Sequence, residues 1–80
     1  MNHLSKLKWQ CRRGMKELDL LLTRYLEQQY PHASTVTQQT FQTLLELPDI
    51  DLYSYMIGQE TPAEETLRNL IEEIKLLRVK

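Results

Sequence analysis

Apolar positions return every three or four residues in five separate stretches of this chain, the period of a helix. Over residues 4–12, Leu4, Leu7 and Cys11 share a face, with the stem of Lys8 beside them. From about Met15 to Gln28, the stripe is Met15, Leu18, Leu22 and Leu26, widened by Leu21 and Tyr25. Tyr30-Pro31 should end that helix, because a residue before proline avoids the helical region. A loop over 31–37 follows, in which three hydroxyl residues compete to cap a helix from about Gln38 to Leu45. Phe41, Leu44 and Leu45 face inward there, and Pro48 interrupts it.

The fourth stretch, Ile50 to Ile57, places Leu52, Tyr53 and Met56 on one face. Alternation is arguable, but Asp49 as a cap and Gly58 as a stop favour a helix. In the last stretch Thr61 is a candidate cap, Pro62 a first helical residue and Glu64 the partner in a capping box. Leu67, Leu70, Ile71, Ile74 and Leu77 form its stripe, and Lys75, Arg78 and Lys80 suit its C-terminal dipole. The pattern predicts an all-α fold, a compact five-helix bundle in a single domain.

Between the first two stretches lies Cys11-Arg12-Arg13-Gly14-Met15-Lys16-Glu17-Leu18-Asp19, with one of only two glycines. Glycine just past a cationic last turn stops a helix, since it enters the left-handed region without a Cβ clash. Glu17 and Asp19 then sit in a first turn, where free amides favour negative charge. Arg13 and Glu17 are four residues apart, which suits either a helix-terminal ion pair or a site. Gly14 removes a side chain between them, and Arg12 and Arg13 supply planar donors for carboxylates or phosphates. Trp9 falls off the apolar stripe; its ring either half-covers the core or stands exposed beside this turn. His32 reads as an exposed loop residue.

Charge sharpens the picture. Of 80 residues with net charge −1, the first sixteen carry five cations (Lys6, Lys8, Arg12, Arg13, Lys16) and no acid. The remainder carries five cations and eleven acids. The basic end is either a solvated helix or a docking face for an anionic partner. At this length only about 60% of the unfolded surface is buried on folding, which argues against a large internal cavity. One cysteine and two histidines without paired spacing leave no disulfide and make a zinc site improbable. No run approaches the roughly 20 apolar residues of a membrane span, and the N-terminus lacks a signal-peptide core. A lone cysteine fits a reduced cytosolic or matrix-like compartment, and because removing an organellar presequence would cut into the Cys11–Asp19 stretch, a cytoplasmic setting is expected. There is no phosphate-binding glycine loop, and Glu64-Glu65 and Glu72-Glu73 diverge around their helix as solvated charge. Self-contained catalysis has no residues to carry it, so the chain is expected not to be an enzyme.

The Cys11–Asp19 stretch resembles the Arg-Gly-x-x-Glu motif of the succinate dehydrogenase flavinylation factors, the small FAD assembly factors of the SdhE type. Trp9 and Cys11 stand where bacterial members carry a Trp-x-Cys-Arg-Arg run. Leu44-Leu45-Glu46 and Asp49-Ile50-Asp51-Leu52-Tyr53 resemble the second block of that family, and Gly58 and Pro62 match its Gly-then-Pro spacing. Tyr55 departs from it where many members carry tryptophan, and the C-terminal helix matches only in apolar pattern. The resemblance implies a helper that binds the flavoprotein subunit of succinate dehydrogenase, and in some bacteria that of fumarate reductase. It would promote covalent attachment of FAD to a histidine of that subunit without holding FAD stably itself. Carried over by position, Arg13, Gly14 and Glu17 would contact the partner, with Arg12, Lys16 and Trp9 at the rim. The competing readings are a small helical nucleic-acid-binding module and a toxin-regulating interaction module. The acidic remainder of the chain opposes the first.

Overall fold

The computed structural model describes residues 3–77. Five helices form there: α1 (His3–Gln10), α2 (Lys16–Gln28), α3 (Thr35–Leu45), α4 (Asp49–Ile57) and α5 (Glu65–Leu76), with one 3-10 turn at Tyr30–His32. They enclose a single core. α5 lies against α2, α3 and α4, and α1 closes the side formed by α2 and α3. The five expected helices are all present; Arg78 and Lys80 lie outside the described residues.

The expected stripes supply most of the core. Leu18, Leu21, Leu22, Tyr25 and Leu26 of α2 meet Phe41, Leu44 and Leu45 of α3 and Leu70, Ile71 and Ile74 of α5, all buried. Each such side chain contributes about 1.5–3 kcal/mol by leaving water. Phe41 packs between two tyrosines in tilted contacts, its centroid 4.9 Å from Tyr25 and 5.5 Å from Tyr30. Two amides of α3 fix Tyr30: Gln38 Nε2 donates to its carbonyl at 2.8 Å and Gln42 Nε2 to its hydroxyl at 2.9 Å. The expected loop is thereby shortened to one turn, with His32 exposed as foreseen.

Several boundaries and faces differ from the sequence expectation. α3 starts at Thr35 rather than near Gln38, because Ser34 is the hydroxyl that caps it, accepting the Thr37 N–H at 3.2 Å. Asp49 does not cap α4: it is the first helical residue, after Pro48, and its carboxylate turns to a guanidinium instead. No capping box forms before α5, which begins only at Glu65. Arg68 reaches back to the Pro62 and Ala63 carbonyls at 3.1 and 3.2 Å and holds that lead-in extended. Gly58 does stop α4, at φ +85°. Leu4 and Tyr53, expected in the core, are 45% and 46% exposed, because Leu7 with Cys11 and Leu52 with Met56 suffice to bury those short helices.

Cys11 is fully buried and unpaired, and burial pushes its thiol from 9.0 to about 11. Burial also pushes Tyr25 from 10.0 to about 12. Both groups hold their protons more tightly folded than unfolded. Their contribution is therefore intact below about pH 9 and is lost as pH rises toward 11–12. Denaturant midpoints should be flat from neutrality to about pH 8.5 and then fall. At pH 8 an aromatic disulfide reagent should leave native Cys11 unmodified and titrate one thiol in denaturant.

Candidate functional site

Cys11 to Met15 form the turn between α1 and α2, with Lys16 and Glu17 opening α2, and the structure shows how this short stretch is held in one shape. α1 ends as Arg12 N–H donates to the Trp9 carbonyl at 3.0 Å. Gly14 then takes φ +80°, a conformation that costs an L side chain about 1–2 kcal/mol. Asp19, from the first turn of α2, clasps the loop from behind. Its two carboxylate oxygens accept the Arg13 N–H at 2.7 Å and the Gly14 N–H at 3.1 Å. Met15 precedes α2 in extended conformation and packs partly into the core.

Arg13 points inward rather than toward solvent; its side chain is only 12% exposed. Nε donates to the Gln10 carbonyl at 2.9 Å, and Nη1 donates to the Leu47 carbonyl at 2.8 Å and to Asp49 Oδ1 at 3.0 Å. Nη2 donates to the Leu45 carbonyl. One guanidinium thus ties the end of α1 to the corner between α3 and α4. Two of its four bonds supply donors to the Leu45 and Leu47 carbonyls, which the end of α3 leaves without helical partners. What orients Arg13 is this corner, with Asp49 as its carboxylate.

The other sequence-derived candidates surround the turn on the outside. Arg12, Gly14, Lys16 and Glu17 are exposed, and Trp9 is 74% exposed, which settles its two readings in favour of the surface. A Cβ built on Gly14 would meet nothing within 4 Å, so its backbone stands bare. Two depressions flank it. An apolar groove between α2 and α4, about 160 Å³, is bordered by Met15, Lys16, Glu17, Tyr53, Met56 and Ile57. A wider depression of mixed polar and apolar lining reaches Arg12 from α1. Among the described residues no cluster of His, Cys, Asp or Glu could hold a metal ion, and no helix is long and apolar enough to cross a membrane.

Sequence reasoning missed Asp19 and Asp49 as the residues that shape the turn. Asp19 closes the Cys11–Asp19 stretch and Asp49 opens the second block, but their separation from Arg13 along the chain hid the contacts. Asp19→Ala should leave two amides without their charged acceptor. The expected cost is about 1–2 kcal/mol in a urea titration, with faster hydrogen exchange confined to Arg13 and Gly14. Asp19→Asn, which keeps one oxygen acceptor, should recover about half.

The family model described as the flavinator of succinate dehydrogenase matches residues 5–78. The FAD assembly factor SdhE of Colwellia psychrerythraea is 41% identical over 76 residues, covering 95% of this chain and 82% of the relative. That of Coxiella burnetii is 38% identical over 72 residues, covering 90% and 88%. That of Methylococcus capsulatus is 36% identical over 77 residues, covering 96% and 93%. With a family model spanning residues 5–78 and relatives matched over most of both chains, this all-helical protein belongs to the family of flavinators of succinate dehydrogenase.

Proposed function

We propose that this chain is a FAD assembly factor that binds the flavoprotein subunit of succinate dehydrogenase and promotes covalent attachment of FAD to it. The observation that carries this reading is the bare, left-handed Gly14 between exposed charges, held rigid from behind by Asp19 and Arg13. A surface backbone without a side chain lets another chain approach closely. Because the turn is already ordered before contact, little conformational entropy is lost when it docks. The family match and the names of the relatives support the same role.

In this reading Gly14 sits at the centre of the contact, with Lys16 and Glu17 offering charged partners on one side and Arg12 and Trp9 on the other. Arg13 acts differently from its neighbours: it shapes the turn and presents it, and does not itself reach the partner. Flavin attachment needs a proton removed from the 8α-methyl and a histidine of the partner aligned for attack. The helper binds the partner conformer in which those groups are aligned, and so raises its population. Correct placement of reactants can lower a barrier by several kcal/mol without a catalytic group from the helper.

The test mixes apo-flavoprotein subunit and FAD with and without this chain, then reads flavin fluorescence that survives denaturation. A clear rise with the chain present is expected; no increase would overturn the proposal. A parallel sample with the fumarate reductase flavoprotein defines the range of partners.

A further inference from the structure

A trough follows the seam where α1 lies on α2, and its two halves differ in chemistry. One half, about 540 Å³, is walled by Lys8, Trp9, Arg12, Thr23 and Glu27. The other, about 310 Å³, is walled by Leu4, Leu26 and Pro31. Ser5, Lys8 and Glu27 border both halves, so the two depressions adjoin along the seam. Its upper end, at Arg12, adjoins the Gly14 turn. Lys8 and Arg12 are exposed, and neither forms an ion pair among the described residues. The ring of Trp9 lies largely open to solvent between them in sequence. Glu27 is the one acid of the trough.

We propose that this trough receives an acidic segment of the flavoprotein subunit that carries an apolar side chain a few residues from its carboxylates. The assignment rests on the function proposed above and adds the chemistry and placement of the partner's segment. Charge complementarity carries it. Two unpaired cations lie where carboxylates would reach them, and an indole covers the same end with apolar surface. The far end, built from Leu4, Leu26 and Pro31, suits an aliphatic or aromatic side chain. A nucleic acid fits less well, because the apolar end offers nothing to a phosphodiester and Glu27 faces both halves.

The experiment is calorimetric titration of the full chain with apo-flavoprotein subunit at low and high salt. Combined Lys8→Glu and Arg12→Glu should weaken binding about tenfold or more and flatten its salt dependence. Glu27→Lys should tighten binding several-fold at low salt, a gain that a misfolded protein cannot produce. Unchanged affinity in both variants, while the unaltered chain still stimulates flavin attachment, would overturn the trough and leave the proposed function standing. Trp9, the only tryptophan, supplies a second readout. Quenching of its emission by free FAD, or a labelled oligonucleotide bound more tightly by Glu27→Lys, with flavoprotein affinity unmoved in either case, would also overturn it. Loss of stimulation by the unaltered chain is a separate result and bears on the function itself.

Discussion

Gly14→Arg is expected to give a folded helical protein that no longer raises flavin attachment above the level seen without it. Two separate costs follow from the geometry. The first is backbone strain: at φ +80° any L side chain loses about 1–2 kcal/mol. For a domain of this size that lowers the melting temperature by roughly 5–15 °C, without unfolding it. No steric cost arises within the chain, since nothing lies within 4 Å of the new Cβ. The second cost falls entirely on the partner, which meets a long cationic side chain where it should meet bare backbone. Gly14→Asn separates the two, because asparagine tolerates the left-handed region while still adding bulk. It should melt close to the parent protein and still stimulate poorly. Gly14→Ala should show the strain with only one methyl of obstruction, and stimulate to an intermediate level. If Gly14→Arg attaches flavin as well as the parent, the turn is not the contact surface. Circular dichroism and in-gel flavin fluorescence measure the two effects on the same samples.

Arg13→Ala should produce the largest loss of stability among the motif residues, about 2–4 kcal/mol. The guanidinium donates to three backbone carbonyls and to Asp49 from a largely covered position, and a methyl group replaces none of these bonds. The Leu45 and Leu47 carbonyls then lose their donor at the end of α3, where the helix offers no other. A domain of this size holds roughly 4–12 kcal/mol in all, so the variant should melt about 10–20 °C lower. Arg13→Lys should recover only part of this, because a single ammonium cannot span carbonyls on both sides of the corner. Asp49→Ala should cost less than 1 kcal/mol, since that carboxylate is 52% exposed and the carbonyl bonds remain. The order Arg13→Ala, then Arg13→Lys, then Asp49→Ala in urea midpoints distinguishes a structural tie from a surface contact. Were Arg13 a docking group alone, all three would melt with the parent. Stimulation by Arg13→Ala, assayed well below its melting point, should still fall, because the turn loses one of the two supports that hold it in shape.

The chain by itself determined the helical class, five apolar stripes and the glycine stop at the end of α4, whereas α1 ends at Gln10, short of the expected residue 12 and well before Gly14. Period and punctuation are local properties, set by residues within one or two turns of each other. Leu18, Leu22 and Leu26 had to share a face whatever they packed against, and Gly14 had to be where the chain turns. Competition between equally suitable local partners was decided elsewhere. Three hydroxyls could have capped α3, and Ser34 did so in a structure where Gln38 and Gln42 also grip Tyr30. Asp49 could have capped α4, but a guanidinium thirty-six residues away along the chain took its carboxylate. Tertiary structure also divided the roles within the motif. In sequence, Arg12 and Arg13 are two like charges before a glycine, with the opposite charge of Glu17 three residues after it. Folded, Arg13 is drawn under the turn because unpaired carbonyls at the α3–α4 corner lie within reach of its fork. Arg12 and Glu17 stay outside, exposed on the surface. A carbonyl left over at a helix end has no signature in the residue that carries it, so only the packed chain could reveal which arginine would be used to satisfy it.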